Sequence, residues 1–214
     1  MSNEREVYVV GAGGHAKVVV STLQAAGYTV KGLFDDDREK RAKSVLGAPV
    51  LGPTAEFGWL KHGRAVIGVG DNASRKTLAR RFGDAEWMTV IHPTAYVHPS
   101  VRLGPGTVVF AGATVQPDTT LGSHCIINTA ASIDHDCVLG DYVHVAPGTR
   151  LAGGVELGEG VFMGIGSSVI PGIKVGSWTV VGAGGVVICD LMPAVLAVGV
   201  PASPTKDTKK TELP

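Results

Sequence analysis

The chain has 214 residues, a formal net charge of zero, 44% hydrophobic residues and only 6% aromatic residues. The hydrophobic fraction excludes a disordered chain, and neutrality argues against nucleic acid as a partner, because phosphate-binding surfaces are basic. No apolar run is long enough to cross a membrane, and acidic residues stand where a secretory leader would be basic, so we expect a cytoplasmic protein without membrane contact.

Residues 1–90 have the pattern of a small α/β domain. A strand is predicted over 7–10, a helix over 16–26, strands over 28–34 and 65–69, and a helix over 73–82. Strand, glycine-rich turn, helix and strand in this order are typical of a parallel sheet. We therefore expect a Rossmann-like unit of about three strands, which is half of a full dinucleotide domain.

The first turn of this unit resembles a phosphate-binding loop. Residues 11–16 match G-x-G-x-x-A, and Asp35 follows at the end of the next strand. Because the unit is short, we expect a single nucleotide, with its diphosphate against the N–H groups of Gly13, Gly14 and His15. Two polar residues at the end of the third strand face the same crevice: Asp71 and Asn72. A solvated turn remains an alternative interpretation for residues 35–37.

From Ala95 onward the sequence repeats every six residues. The third residue of each block is aliphatic in sixteen successive blocks: Val97, Leu103, Val109, Val115, Leu121, Ile127, Ile133, Leu139, Val145, Leu151, Leu157, Met163, Val169, Val175, Val181 and Val187. One inward aliphatic residue per block predicts a parallel β-helix over residues 91–190, with three blocks to a triangular coil. Residues 191–214 are expected to form a C-terminal tail.

Smaller features refine this prediction. Glycine follows the aliphatic residue at positions 104, 122, 140, 158 and 176, and we interpret this as a corner that requires a positive φ angle. The three cysteines have neither disulfide nor zinc spacing, so we expect small buried fillers: Cys125, Cys137 and Cys189.

The hexapeptide repeat, the N-terminal GAGGHAK, the stretch NTAASIDHDCVLGDYVHVAPG and the terminal GVPA together resemble the left-handed β-helix nucleotide-sugar N-acetyltransferases of the sialic-acid O-acetyltransferase type. The resemblance implies acetyl-CoA as cosubstrate, no metal, and a homotrimer with active sites between subunits. It also implies that acidic residues matching Asp35 and Asp36 lie near the nucleoside of a UDP- or GDP-linked amino sugar.

One polar block is the candidate catalytic element. His135 lies two residues past the inward Ile133, so its side chain should leave the coil, and Gly153 lies eighteen residues later, one coil above it. An exposed imidazole beside the carboxylate of Asp136 suits general-base catalysis. The resemblance makes His135 the base that deprotonates the sugar amine, and Asp136 the residue that orients it. It makes the Gly153 N–H the group that faces the thioester carbonyl.

Other positions are assigned by resemblance alone. His144 lies half a coil from His135, too far to meet it within one chain, and matches a residue near the acetyl donor; an interface role is the alternative. Asn128 matches a position near the sugar, with an asparagine ladder inside the coil as the alternative. The coenzyme arm is placed near Gly153, Ile165 and Ala183. Ser203 stands where relatives often carry Lys or Arg, and three lysines are substitutes for that contact: Lys206, Lys209 and Lys210.

We therefore predict an acetyl-CoA-dependent N-acetyltransferase acting on a nucleotide-linked amino sugar of the 4-amino-4,6-dideoxyhexose class, with a role in surface polysaccharide synthesis. Three alternatives stay open at this point: O-acetylation of a sugar hydroxyl, a zinc hydratase on the same fold, and a non-catalytic nucleotide-binding scaffold. The sequence gives no code for the base or for the stereochemistry of the sugar.

Overall fold

The computed structural model describes residues 5–58 and 63–205. The N-terminal α/β unit contains β1 Glu6–Val10, α1 Gly14–Ala25, β2 Thr29–Phe34, a 3₁₀ helix Arg38–Lys40, β3 Ser44–Val45, β4 Ala48–Gly52, α2 Thr54–Phe57, β5 Arg64–Ile67, α3 Asn72–Arg81 and β6 Glu86–Trp87. These strands form one six-stranded sheet in the order β3-β4-β2-β1-β5-β6, parallel except for the β3–β4 pair.

The expectation of about three strands in this unit is wrong. The three predicted strands form the centre of the sheet, and β3, β4 and β6 extend its edges. The edge strands β3 and β6 have two residues each, too few for a hydrophobic period. β4 contains Pro49, and a proline, which has no N–H for a ladder hydrogen bond, argues against a strand in the sequence.

A β-helix follows, built from two-residue strands spaced six residues apart. Its strands are β7 Val90–Ile91, β8 Tyr96–Val97, β9 Arg102–Leu103, β10 Val108–Val109, β11 Thr114–Val115, β12 Thr120–Leu121, β13 Ile126–Ile127, β14 Ser132–Ile133, β15 Val138–Leu139, β16 His144–Val145, β17 Arg150–Leu151, β18 Glu156–Leu157, β19 Phe162–Met163, β20 Ser168–Val169, β21 Lys174–Val175, β22 Val180–Val181 and β23 Val186–Val187. The predicted fold class, an α/β unit followed by a β-helix, is confirmed.

Three parallel sheets form the faces of this β-helix. The first face contains β7, β10, β13, β16, β19 and β22; the second runs from β8 to β23, and the third from β9 to β21. Each strand pairs with the strand eighteen residues later, as in Ile133 with Leu151. The segment after 190 adds β24 Leu196–Val198 to the first face, and β25 Ser203–Pro204 pairs with it.

The repeat supplies the core of the β-helix. From Val109 to Val187 every third-position aliphatic side chain is at most 4% exposed, whereas Val97 and Leu103 at the open end are partly buried. The first residue of each block also points inward, and Cys125 and Cys137 occupy such positions. Cys189 is exposed, so the expectation of a buried filler is wrong for this cysteine.

The corners turn through a left-handed residue every six positions, without a gap from 106 to 184. Most are glycines, but Asp118, His124, Ala130, Asp136, Tyr142 and Trp178 also have φ between 54° and 61°. The interpretation of Gly104 and its equivalents is therefore wrong, since the positive φ lies two residues later. A β-carbon at Gly122 would lie 2.6 Å from the backbone nitrogen of Asp141, so these glycines permit close stacking of coils.

The α/β unit packs on the first face and on the corner that precedes it. Val19, Val20 and Leu23 of α1 belong to one buried cluster with Phe110 and Ile126 of the β-helix. Helix α3 lies on the corner formed by residues 122–125, 140–143 and 158–161. The later strands of the first face, β16, β19 and β22, line a cavity. Within the described ranges, no helix has the length and apolarity needed to span a bilayer.

Candidate active site

A cavity of about 710 Å³ lies between the α/β unit and the later coils of the first face. The α/β unit contributes the phosphate-loop residues and a charged pair: Gly13, Gly14, His15, Asp35, Lys40, Asp71 and Asn72. The β-helix contributes a mainly apolar wall: His144, Phe162, Ile165, Ala183 and Leu196. The structure thus brings most of the predicted nucleotide residues together with three of the predicted coenzyme residues.

The start of α1 is suited to a phosphate group. Gly13 is the N-cap residue, the twelve-residue helix begins at Gly14, and its first turn carries no acidic side chain. A β-carbon at Gly13 or Gly14 would meet nothing within 4 Å, so the backbone is open here. The N–H groups and the helix dipole favour an anion at this end of the cavity.

Asp35 is already well supplied with donors. Its carboxylate accepts hydrogen bonds from the N–H of Ala12 (2.6 Å), the N–H of Asp37 (2.9 Å) and the ammonium of Lys40 (3.1 Å). Burial raises the pKa of Asp35, but the hydrogen bonds from Asp37, Ala12 and Lys40 outweigh this and lower it overall. Lys40, which sequence patterns did not single out, brings a cation to the cavity wall.

Three other acidic or amide side chains have structural partners. Asp36 is exposed and accepts hydrogen bonds from the N–H (2.8 Å) and hydroxyl (2.9 Å) of Thr54, at the start of α2. Asp71 is the N-cap of α3 and accepts from the N–H of Ser74. Asn72 donates to the carbonyls of Gly160 (3.0 Å) and Val161 (3.3 Å). These hydrogen bonds link the loop of residues 69–72, which lines the cavity, to the β-helix.

His144 is buried beneath the chain's own α/β unit. It is 8% exposed, with Nδ1 3.2 Å from the carbonyl oxygen of Gly70 and Nε2 3.1 Å from the amide nitrogen of Asn128. Burial, then the charges of Arg75 and His15, lower the pKa of His144 to about 3. The Gly70 loop of the same chain thus covers the Nδ1 side of His144.

His15 lies beside His144 at the start of α1. The two ring centroids are 6.0 Å apart, and His15 also packs against Phe110. Burial, and secondarily the charge of Arg75, lower the pKa of His15 to about 4. Both imidazoles are therefore neutral near pH 7, and the cavity wall between phosphate loop and β-helix carries no histidine charge.

His135 lies at the corner after β14, so the second face of the β-helix separates it from the cavity. Its Nδ1 is 2.7 Å from the Oδ2 of Asp136, and its side chain is exposed. The hydrogen bond that His135 donates to Asp136, followed by the charge of Asp134, raises the pKa of His135. When Nδ1–H donates to the carboxylate, Nε2 carries the lone pair and can accept a proton.

Gly153 lies directly above this imidazole, as the eighteen-residue spacing predicts. A β-carbon at Gly153 would lie 2.6 Å from Cε1 of His135, and the next residue, Gly154, donates to the His135 carbonyl. Within the described part of the chain, the N–H of Gly153 makes no hydrogen bond. A base and an available N–H donor thus meet on one exposed corner.

The remaining predicted contacts fall elsewhere. Asn128 accepts from the N–H of Thr129 and bonds His144, with no asparagine ladder. Ser203 is exposed in β25, and Lys206, Lys209 and Lys210 lie outside the described residues. In residues 5–58 and 63–205, no three His, Cys, Asp or Glu side chains are grouped to hold a metal ion.

Comparisons with known proteins agree with this architecture. Residues 6–82 match the family model described as the PglD N-terminal domain. A 40% identical segment of 112 residues matches a UDP-N-acetylbacillosamine N-acetyltransferase of Bacillus subtilis, and a 34% identical segment of 103 residues matches an uncharacterized protein of Acanthamoeba polyphaga mimivirus. These segments cover 50% and 48% of this chain but only 52% and 21% of the two curated relatives.

Solved structures match over nearly the whole chain. A histidine-to-asparagine mutant of perosamine N-acetyltransferase from Caulobacter crescentus, in complex with CoA and GDP-perosamine, is 43% identical with a TM-score of 0.91, covering 96% of this chain and 99% of that one. The acetyltransferase domain of PglB from Neisseria gonorrhoeae, in complex with acetyl coenzyme A, is 36% identical with a TM-score of 0.90, covering 95% and 100%. The chain therefore belongs to the family of β-helix sugar N-acetyltransferases that includes these two proteins.

Proposed function

We propose that this protein transfers the acetyl group of acetyl-CoA to the primary amine of a nucleotide-linked amino sugar. The observation that carries the proposal is the His135–Asp136 pair, with its 2.7 Å hydrogen bond, directly beneath the available N–H of Gly153. Acyl transfer to an amine needs a base and an oxyanion donor, and this corner offers both.

In the proposed reaction the amine nitrogen attacks the thioester carbon, and His135 Nε2 takes the proton that the nitrogen loses. The N–H of Gly153 stabilises the oxyanion of the tetrahedral intermediate. The C–S bond then breaks, and the imidazolium returns its proton to the departing thiolate. Asp136 holds the imidazole and stabilises its positive charge.

The cavity accounts for the two substrates. The diphosphate lies at the start of α1, with Lys40 and Asp35 on the nucleoside side. The coenzyme arm lies along His144, Ile165 and Ala183 and reaches toward the catalytic corner of the adjacent subunit. The acceptor is a 4-amino-4,6-dideoxyhexose on UDP or GDP, since one relative is named for a UDP-sugar and another was solved with GDP-perosamine. The reaction takes place in the cytoplasm, and its product serves surface polysaccharide synthesis.

We infer that the protein acts as a homotrimer. Within one chain, the second face separates His135 from the cavity, which lies on the first face and its following corner. A base and a substrate site for one reaction must therefore come from adjacent subunits. Heterologous contacts between identical chains around a three-fold axis supply such composite sites.

The test is an acetylation assay with purified protein, acetyl-CoA and UDP- or GDP-linked 4-amino sugars. We expect an N-acetylated product by mass spectrometry, with one CoA thiol released per product. His135→Ala should lower the rate more than tenfold, about 1.4 kcal/mol in the barrier. A smaller loss, or faster acetylation of the matching 4-hydroxy sugar, would contradict the proposal. Thermal-shift measurements with each nucleotide, with and without CoA, identify the preferred base.

A further inference from the structure

Arg75, in the first turn of α3, is buried, and in the described part of the chain its side chain donates to oxygens other than carboxylates. Only 1% of the surface of Arg75 is exposed to solvent. Its five hydrogen bonds go to the carbonyls of His124 (2.8 Å), Tyr142 (2.7 Å), Val69 (3.3 Å) and Gly70 (3.0 Å) and to the side-chain oxygen of Asn72 (2.8 Å). A buried cation is costly unless its donors are satisfied, and here oxygen dipoles satisfy them.

The partners of Arg75 belong to both halves of the molecule. His124 and Tyr142 lie on successive coils of the β-helix, whereas Val69, Gly70 and Asn72 form the loop that lines the cavity. The guanidinium therefore fixes the position of that loop relative to the coils. Only the planar fork of arginine supplies enough donors in this geometry, since lysine has three.

The Gly70 carbonyl oxygen has a second donor, which is the Nδ1 of His144 at 3.2 Å. A carbonyl can only accept, so Nδ1 of His144 carries the proton. Burial and the nearby charge of Arg75 keep this imidazole neutral, so its Nε2 has a lone pair. Nε2 in turn faces the amide nitrogen of Asn128, whose oxygen accepts from the N–H of Thr129, and this order of donors is consistent throughout.

We propose that Arg75 is a positioning residue for acetyl transfer. It holds the Gly70 carbonyl against His144, so that the imidazole keeps its proton on Nδ1 and presents Nε2 to the coenzyme side of the cavity as a hydrogen-bond acceptor. The partner that this chemistry fits is an amide N–H of the coenzyme's pantetheine arm, which takes the place of Asn128. The inference rests on the proposed function, in which His144 contacts acetyl-CoA.

The tautomer can be measured without any substitution. We expect long-range ¹H–¹⁵N spectra of protein labelled with ¹⁵N-histidine to show a neutral His144 protonated at Nδ1 near pH 7, with the signal assigned by its loss in His144→Gln. Protonation at Nε2, or an imidazolium, would overturn the proposal. This readout does not depend on activity, so it stands even if the chain acetylates no amino sugar, which would refute only the proposed function.

The role of Arg75 is tested by Arg75→Lys, with Arg75→Gln as a second variant and the exposed Arg80→Lys on the same helix as control. We expect Arg75→Lys to raise the KM for acetyl-CoA about tenfold, with kcat within twofold, and to mix the tautomers of His144. In a His144→Gln background the same substitution should change KM less than twofold, because the effect acts through His144. Additive effects, or an unchanged tautomer in a folded variant, would overturn the proposal.

Discussion

At the scale of the residue, the carboxylate of Asp136 controls the proton affinity of His135. Because its hydrogen bond raises the pKa of His135, Asp136→Asn should lower that pKa. A general base works only above its pKa, so the acidic limb of the kcat/KM profile should move to lower pH while the plateau falls about tenfold. The pH dependence of initial rates measures both effects.

Asp118 is a matched control for this prediction. It occupies the same corner one coil earlier and has the same left-handed backbone, with φ 59° against 58° for Asp136, but Pro117 precedes it in place of histidine. Asp118→Asn should leave both the limb and the plateau unchanged. Equal shifts in the two variants would show that surface charge, and not the hydrogen bond, sets the profile.

The space above His135 gives a second prediction. In Gly153→Ala the added methyl group would overlap the imidazole, whose exposed side chain can turn away at small cost to the fold. We expect kcat to fall more than tenfold, while the free energy of unfolding changes by less than about 1 kcal/mol. Urea unfolding and steady-state kinetics measure the two. Gly83→Ala, where a β-carbon has only an ordinary contact at 3.8 Å, is the control; a similar loss of kcat there would argue against the steric explanation.

At the scale of the element, the interface between the α/β unit and the β-helix should be sensitive to acid. Burial, with the charge of Arg75 second, lowers the pKa of His15 and His124 to about 4, and burial lowers that of His144 to about 3. The unfolded chain binds these protons from about pH 6.5. The stability is therefore complete above that pH and decreases as the pH falls toward 4, by up to about 1.4 kcal/mol per pH unit for each histidine.

Substitution of His124 separates this effect from general acid denaturation. Its ring stacks on Tyr142 at 5.5 Å and its Nδ1 is buried without a partner in the described structure, so phenylalanine can replace it. We expect His124→Phe to lose less stability between pH 6.5 and 4.5 than the parent, in urea unfolding at fixed protein concentration. His98→Phe, at a partly exposed histidine, should keep the parental slope. Equal slopes in all three proteins would contradict the prediction.

The elements also show what a sequence can reveal. The β-helix strands could be predicted because the same inward position recurs sixteen times, and the fixed register then places Gly153 over His135. The edge strands of the α/β unit could not, because two-residue strands have no period. Arg75 and Lys40 also escaped prediction. Within the local sequence they are ordinary surface cations, and only the docking of the α/β unit buries one and directs the other into the cavity.

At the scale of the whole molecule, shared sites between subunits predict complementation. His135→Ala removes the base, and Gly14→Glu places a negative charge at the phosphate end of the cavity; each variant alone should be inactive. In each mixed trimer of the two variants, about one site in three pairs an intact cavity with an intact base, so about one third of the parental activity should return. Coexpression of differently tagged copies, followed by tandem purification, isolates the mixed trimers, and their acetylation rate is then measured. No recovery in mixed trimers would place both parts of the site in one chain.

The unbroken pairing of residue i with residue i + 18 limits how this chain can change in length. A single inserted residue would turn every later inward side chain toward solvent, and a block of six would move each later residue to a different face. Only whole coils of eighteen residues preserve the order of faces. Added after 187, such a coil would lengthen the β-helix and leave the catalytic corner intact. Added between 135 and 153, it would separate the base from its oxyanion donor while every strand stayed paired.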